Sequence, residues 1–277
     1  MASSGAPTAS AAELLALAVA TAREAGDLVA SMRVDGVDVA DTKSSPGDIV
    51  TKADRASEEL IRERLLNARP GDGFVGEEGD DVANTSGVRW IVDPIDGTVN
   101  YLYGMPQYAI SIAVEIGGQV VAGVVRCPEL DLEYAATLGG GATRNGVPVR
   151  VRSTPPLDQT MVATGFSYES DIRARQGRSV ARLLPQVRDI RRHGSCALDL
   201  CGVASGESDA YVEEGANLWD YAAGGLVARE AGAVFEVWRT SADKDLVVCA
   251  PAAGWDGFAA LVRSCGFLGE EPHDDVQ

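Results

Sequence analysis

Trp90-Ile91-Val92-Asp93-Pro94-Ile95-Asp96-Gly97-Thr98 is an apolar run that ends in two acids, a glycine and a hydroxyl. Residues 88–92 have the β-rich composition of a short strand, which delivers Asp93 at its end. Pro94 stops the ladder and Gly97 permits a sharp turn, so Asp93 and Asp96 converge. Two carboxylates this close repel unless a cation sits between them. Thr98 adds a hydroxyl, and the amides of Gly97 and Thr98 can point at an anion. Upstream lies Gly76-Glu77-Glu78-Gly79, where adjacent side chains diverge and at most one joins the same site. Downstream lies Asn217-Leu218-Trp219-Asp220-Tyr221-Ala222-Ala223-Gly224-Gly225, which places Asp220 where a helix begins. Alone, each segment has an ordinary reading: an acidic turn, a solvated loop, and an N-cap worth about 1 kcal/mol.

Around these segments the chain divides at Arg152-Ser153-Thr154-Pro155-Pro156. Before the break, helical periodicity covers residues 11–32 and 53–67, the second helix stopping at Arg69-Pro70-Gly71-Asp72-Gly73. Residues 108–116 and 120–126 are β-rich and joined at Gly117-Gly118. Residues 132–138 and 147–151 continue the meander, with a tight turn at Asn145-Gly146. Gly139-Gly140-Gly141 reads as a hairpin feature. This half, 11–155, is two helices against an antiparallel sheet and carries Glu77 and the DPIDGT motif. The half 156–268 alternates: strand 161–164, helix 173–184, strand 189–193, helix 195–204, strand 209–213, helix 220–231, strands 233–237 and 246–250, helix 255–265. That alternation is an α/β signature. Residues 1–10, rich in Ala and Ser, read as a disordered N-terminus, and 269–277 as a solvated acidic tail.

Composition limits the partners. The chain has 277 residues, 45% of them hydrophobic and 23% charged, with 41 acidic against 24 basic residues and a formal net charge of -17. Such a surface repels nucleic acid and anionic membrane, so neither is expected as a partner. An anionic substrate then needs a local reversal of sign, which divalent cations supply. Two distant histidines, His193 and His273, do not build a zinc site, so a metal here should prefer oxygen. Five cysteines without a CxxC spacing read as reduced thiols, and a cytoplasmic location is expected. The apolar stretch 11–22 contains Glu13 and continues with helical period, so it is an amphipathic helix rather than a signal peptide, and no apolar run is long enough to span a membrane.

Taken together, Gly76-Glu77-Glu78, Trp90 to Thr98 with Asn100-Tyr101, and Trp219-Asp220 with Ala222, Gly224, Glu230, Ala231 and Gly232 resemble the inositol monophosphatase family. Lys43-Ser44-Ser45-Pro46 with Asp48 to Asp54 looks like that family's N-terminal segment. Gly194-Ser195-Cys196-Ala197-Leu198-Asp199 looks like its substrate-pocket helix, and Asp209 to Glu213 like the strand beyond. The match spans roughly residues 12–265. It implies a layered αβαβα sandwich, a homodimer, Mg²⁺ as cofactor and sensitivity to Li⁺. It further implies that Glu77, Asp93 and the carbonyl of Ile95 hold a first metal, and Asp93, Asp96 and Asp220 a second. Glu77 also helps hold a weaker third ion. Thr98 orients the attacking water with Asp54 behind it, and the Gly97 and Thr98 amides cradle phosphate. Gly194, Ser195, Cys196, Glu213 and Asp220 line the alcohol side. Tyr101 stands where Phe is usual, and Asn145 and Cys196 lie at variable positions, so the departures touch packing and pocket rim.

The implied reaction is hydrolysis of myo-inositol 1-phosphate or a similar small polyol phosphate by a metal-activated water. Histidinol phosphate, fructose 1,6-bisphosphate and 3′-phosphoadenosine 5′-phosphate are the alternatives within the same chemistry. A second phosphate would need a basic cluster, and of Arg191-Arg192 period 2 turns at most one inward. Glu214 falls opposite Glu213 by the same rule. A regulatory protein-binding role is the alternative of a different class.

Overall fold

The computed structural model describes residues 9–34, 37, 39–42 and 49–269. The expectations for the N-terminal residues 1–8, for Lys43 to Asp48 and for the tail beyond 269 lie outside them. In chain order the elements of the first half are α1 (Ala11–Val34), β1 (Val39–Thr42), β2 (Ile49–Thr51), α2 (Lys52–Ala68), β3 (Gly73–Gly76), β4 (Val88–Asp96), α3 (Thr98–Leu102), β5 (Ala109–Ile116), β6 (Gln119–Cys127), β7 (Leu132–Thr137), β8 (Gly141–Arg144) and β9 (Val147–Pro148). The second half adds β10 (Met161–Thr164), α4 (Ser170–Leu183), β11 (Asp189–Arg191), α5 (Cys196–Ser205), β12 (Ala210–Glu214), α6 (Leu218–Glu230), β13 (Ala233–Arg239), β14 (Asp245–Pro251) and α7 (Trp255–Ser264).

Strands β3 to β9 form a seven-stranded sheet in sequence order, and a five-stranded sheet runs β11-β10-β12-β14-β13. The two-residue period of β4 sends Trp90 and Val92 to one face and Ile91 to the other. Trp90 and Val92 meet Leu14, Ala18, Ala22 and Ala25 of α1 and Ile61 and Leu65 of α2. Ile91, with Ala113 and Val125, meets Ala197 and Cys201 of α5 and Ala223 and Val227 of α6. The opposite sides of α5 and α6, at Leu200, Val203 and Ala228, pack on Tyr211, Val247 and Cys249 of the second sheet. Its outer face carries Leu183 of α4 and Phe258, Leu261 and Val262 of α7. The result is the expected αβαβα layering. Small residues make the middle layer thin: a Cβ on Gly123 would lie 3.1 Å from Ala223 Cα, and one on Gly224 3.0 Å from the carbonyl of Ala197. All five cysteines are buried and unbridged. Among the described residues no helix is long and apolar enough to cross a membrane.

The structure corrects several expected elements. Strand β4 continues through Pro94 to Asp96 instead of ending at residue 92. Its pairing with β5 shifts register between Asp93 and Asp96, so the proline sits where the ladder needs no N–H donor. The first sheet is not wholly antiparallel, because β3 runs parallel to β4. That four-residue strand was hidden behind the Gly/Pro-rich helix stop. Residues 139–146 contain strand β8, and the strand expected over 147–151 shrinks to β9. In the second sheet only β11, β10 and β12 are parallel; β14 pairs antiparallel with both β12 and β13. Strand β11 ends at Arg191, two residues short of the expectation, because the chain turns there toward α5.

Candidate active site

The irregular end of β4 aims its acids into one cavity. Asp93 is 2% exposed, and one of its oxygens accepts from the Ile95 amide at 3.0 Å. The Pro94 carbonyl accepts from Ser57 of α2 at 3.0 Å, which anchors the strand end to the outer helix layer. Glu77 follows β3 and lines the same cavity as Asp93, Asp96, Thr98, Glu213 and Asp220. Its loop is held by Glu58, a buried residue of α2 whose carboxylate accepts from the Glu78 amide at 2.8 Å and from Arg62 at 3.0 Å. Gly76 is required beside it, since a Cβ there would collide with the Glu58 carboxylate. Of the adjacent acids Glu77 and Glu78, only Glu77 belongs to the cavity wall.

Thr98 opens α3. Its hydroxyl lies 3.1 Å from Asp54 Oδ1 and 3.0 Å from the Ile95 carbonyl. Asp54 is fully buried, and its other oxygen accepts from the Thr51 amide at 2.8 Å and from the Thr51 hydroxyl, closing the capping box of α2. Burial pushes its carboxyl up to about 6, against the pull of the Thr51 bonds. Capping thus engages one oxygen while the other faces Thr98.

Asp96 reaches into the second half of the molecule. Its Oδ2 accepts from the Ser195 hydroxyl at 2.5 Å and from the Ala197 amide at 2.7 Å, at the N-terminus of α5. Burial moves it up to about 7 in spite of these donors. Asp220, in the first turn of α6, accepts from the Asn217 amide at 2.6 Å. Asp93 and Asp220 are both held well above the ordinary carboxylate range, first by burial and then by Glu77 and their other acidic neighbours. Glu213 lies near the end of β12, accepts from the Tyr211 hydroxyl at 2.5 Å, and is pushed by burial to about 7. It needs Gly165 across from it, where a Cβ would overlap its carboxylate.

The remaining wall is mixed. Gly194 and Cys196 line the cavity, whereas Ser195 is 1% exposed and engaged in holding Asp96 and capping α5 through the Leu198 amide. Arg191 pairs with Asp189 at 2.5 Å, while Arg192 lines the cavity, so the two arginines do face apart. Glu214 is buried and pairs with Arg175 of α4. Lys244, from the turn before β14, also lines the mouth and pairs with Glu169 at 2.8 Å. Glu58, Gly165 and Lys244 had escaped the sequence reading. Only Glu58 left a signal there, as an acid on the inward face of the helix that carries Asp54.

The cavity measures about 450 Å³, room for a phosphorylated sugar-sized molecule. Glu77, Asp93, Asp96, Glu213 and Asp220 line it together; burial raises Asp93, Asp96, Glu213 and Asp220, with acidic neighbours adding to it, Asp199 in the case of Glu213. Their donors are hard oxygens, which suits Mg²⁺ better than a soft metal. Among the described residues no three acidic, histidine or cysteine side chains close into a cage.

The chain is similar to known proteins over most of its length. The family model described as the inositol monophosphatase family matches residues 10–266. The inositol-1-monophosphatase SuhB of Mycobacterium tuberculosis is 44% identical over 253 residues, 87% of this chain and 86% of that protein. The Nus factor SuhB of Pasteurella multocida is 37% identical over 221 residues, 79% of this chain and 83% of that protein. The crystal structure of the extragenic suppressor protein suhB from Bartonella henselae superposes with a TM-score of 0.83 at 33% identity, covering 91% of this chain and 98% of that one.

Proposed function

This chain belongs to the inositol monophosphatase family, and on that premise we propose that it is a Mg²⁺-dependent phosphatase hydrolysing myo-inositol 1-phosphate or a similar small polyol phosphate. The observation that carries the reading is the convergence of Glu77, Asp93, Asp96, Asp220 and Glu213 on one cavity with the Thr98–Asp54 pair at its edge. Glu77, Asp93, the Ile95 carbonyl, Asp96 and Asp220 would hold the cations. When bound, these would acidify a water and neutralise phosphate charge.

The protein's own residues then have defined tasks. Thr98 orients the attacking water and passes its proton to Asp54, whose carboxyl at about 6 is ionised at neutral pH yet basic enough to accept it. The Gly97 and Thr98 amides hold phosphate oxygens. Gly97, at φ 94°, has no room for a side chain, with the carbonyls of Gln107 and Gly194 each 3.0 Å from a Cβ there. Glu213 and Asp220 accept from the hydroxyls of the alcohol, and Gly194 and Cys196 give it a close wall. Ser195 acts one step back, through Asp96. A single arginine facing the cavity favours a monophosphate of a neutral polyol over a bisphosphate, by about 1–3 kcal/mol.

A homodimer and a cytoplasmic location belong to the same proposal. Exposed Val34, Tyr103, Met105 and Leu130 supply apolar surface around Arg33, which bonds the Met105 carbonyl and Glu129. The Pasteurella relative's name keeps a regulatory role as the second reading. Phosphate release with Mg²⁺ and with EDTA separates the two. Comparing kcat/KM on inositol 1-phosphate, histidinol phosphate, fructose 1,6-bisphosphate and 3′-phosphoadenosine 5′-phosphate tests the substrate. A tenfold preference for any of the last three sinks the inositol assignment.

A further inference from the structure

We propose that His193 is a positioning residue that ties the phosphate-facing turn of the first half to the alcohol-facing wall of the second, and so sets the enzyme's apparent affinity for its substrate. The inference rests on the active-site reading above, but the contacts of His193 itself involve none of the five cavity carboxylates. Asn100, two residues beyond Thr98, is 3% exposed and donates both protons of its amide, to the Gln107 carbonyl at 2.6 Å and to the His193 carbonyl at 2.7 Å. The next residue, Gly194, has φ 91° and lies against the same amide, where a Cβ would be 2.8 Å from Asn100 Nδ2. The Gly194 carbonyl in turn covers Gly97. The backbone of residues 193–194 is therefore pressed onto the turn that carries Gly97 and Thr98.

The ring of His193 points to the other side of the joint. Its Nδ1 lies 2.6 Å from Asp199 Oδ1, in the first turn of α5. Asp199 is 3% exposed, and His193 is its carboxylate's one hydrogen-bonding side chain among the described residues. Between these attachments stand Ser195 and Ala197, which hold Asp96. One residue thus grips α3 through its carbonyl and α5 through its ring, with the wall residue Gly194 and the N-cap Ser195 strung between. Removing the ring takes away the side-chain tie between residue 193 and the first turn of α5, loosening Gly194, and leaves Asp199 buried without its partner.

The groups around the ring set its charge. Asp199 raises the His193 pKa above the ordinary 6.5, burial and Arg191 oppose it, and Glu207, beyond the C-terminus of α5, adds to it. Burial also pulls the Asp199 carboxyl upward, and His193 and then Arg192 pull it back. A raised histidine contributes as a cation below the unfolded value, and the contribution is lost as pH rises through the folded one. The grip should therefore loosen toward alkaline pH.

The test measures KM and kcat with Mg²⁺ from about pH 6 to about pH 9 for the wild type, His193→Val and His193→Asn, on both myo-inositol 1-phosphate and 4-nitrophenyl phosphate. The asparagine places its amide nitrogen where Nδ1 stands but does not titrate. For His193→Val we expect KM raised about tenfold, kcat within about twofold and no alkaline climb in KM. His193→Asn should regain most of the KM and remain flat with pH. The proposal is overturned if His193→Val keeps the wild-type KM and its pH course. It is overturned equally if both variants lose kcat alone. Should the valine variant fail to fold, an asparagine variant whose KM still follows the wild-type pH course overturns it. A wild type that turns over only 4-nitrophenyl phosphate refutes the inositol reading and leaves this test intact.

Discussion

Replacing Asp54 with asparagine should disable the enzyme and stabilise the fold at once. Asp54 is fully buried, and burial lifts its carboxyl from 3.8 to about 6. The folded state therefore holds the proton more tightly than the unfolded chain between those values, and stability falls as pH rises through them. At neutral pH the ionised carboxylate costs the fold about 3 kcal/mol. Asparagine keeps the acceptor oxygen for the Thr51 amide and has no charge to desolvate. It loses an acceptor for a hydroxyl on one side, which offsets about 1 kcal/mol of the gain. The net expectation is about 2 kcal/mol of added stability, read as a higher urea midpoint at pH 7.5 without metal. The same change removes the acceptor behind Thr98, so kcat should fall about 10²–10⁴-fold. In the wild type, kcat/KM should drop as pH falls through about 6, and this acid limb should vanish in the residual activity of the variant. An Asp54→Asn variant with near-normal turnover, or one less stable than wild type at pH 7.5, refutes the reasoning.

Other perturbations follow from the same wall. Asp93→Asn and Asp220→Asn should each abolish most phosphate release while raising the metal-free unfolding temperature, because each removes a charge from carboxylates that raise one another's pKa; normal turnover at saturating Mg²⁺ in either would misplace the site. Thr98→Ala should lower kcat about 10²–10⁴-fold with Mg²⁺ affinity by calorimetry nearly unchanged, and a large loss of metal binding would make Thr98 structural. Gly165→Ala should raise KM for inositol 1-phosphate more than it lowers kcat, since its Cβ would overlap the Glu213 carboxylate and must displace it; an unchanged KM would remove Glu213 from substrate binding.

The parts legible in sequence were those encoded locally. Asp93, Asp96, Gly97 and Thr98 stand within six residues, and a strand, a turn and a helix start are written into the same stretch. Asp220 announces itself as an acid in a helix's first turn, and the periods of α1 and α2 mark their buried faces. What escaped depends on distant contacts. Glu58 supports a loop 20 residues away through the Glu78 amide, and Gly165 matters only because Glu213 stands across from it on the neighbouring strand. Ser195 reads as a pocket hydroxyl by its position, yet a carboxylate 99 residues earlier claims its proton. Pro94 misled for a related reason: its penalty in a strand depends on whether a partner needs the missing N–H, and the shifted register with β5 removes that need.

Because α6 completes the middle layer of the sandwich beside α5, the order in which the chain is made has a chemical meaning. Glu77, Asp93 and Asp96 leave the ribosome long before Asp220, and the sheet that carries the first three is complete by residue 148. Until α6 arrives, that sheet has only α5 to cover its inner face, and Ile91, Ala113 and Val125 lack Ala223 and Val227. A nascent or truncated chain thus displays an acid-rich sheet end with no opposing wall and no alcohol pocket. On the proposed reading, hydrolytic competence waits for Asp220 and so for the seating of a helix late in synthesis, and unfinished copies are born silent toward the phosphate esters around them.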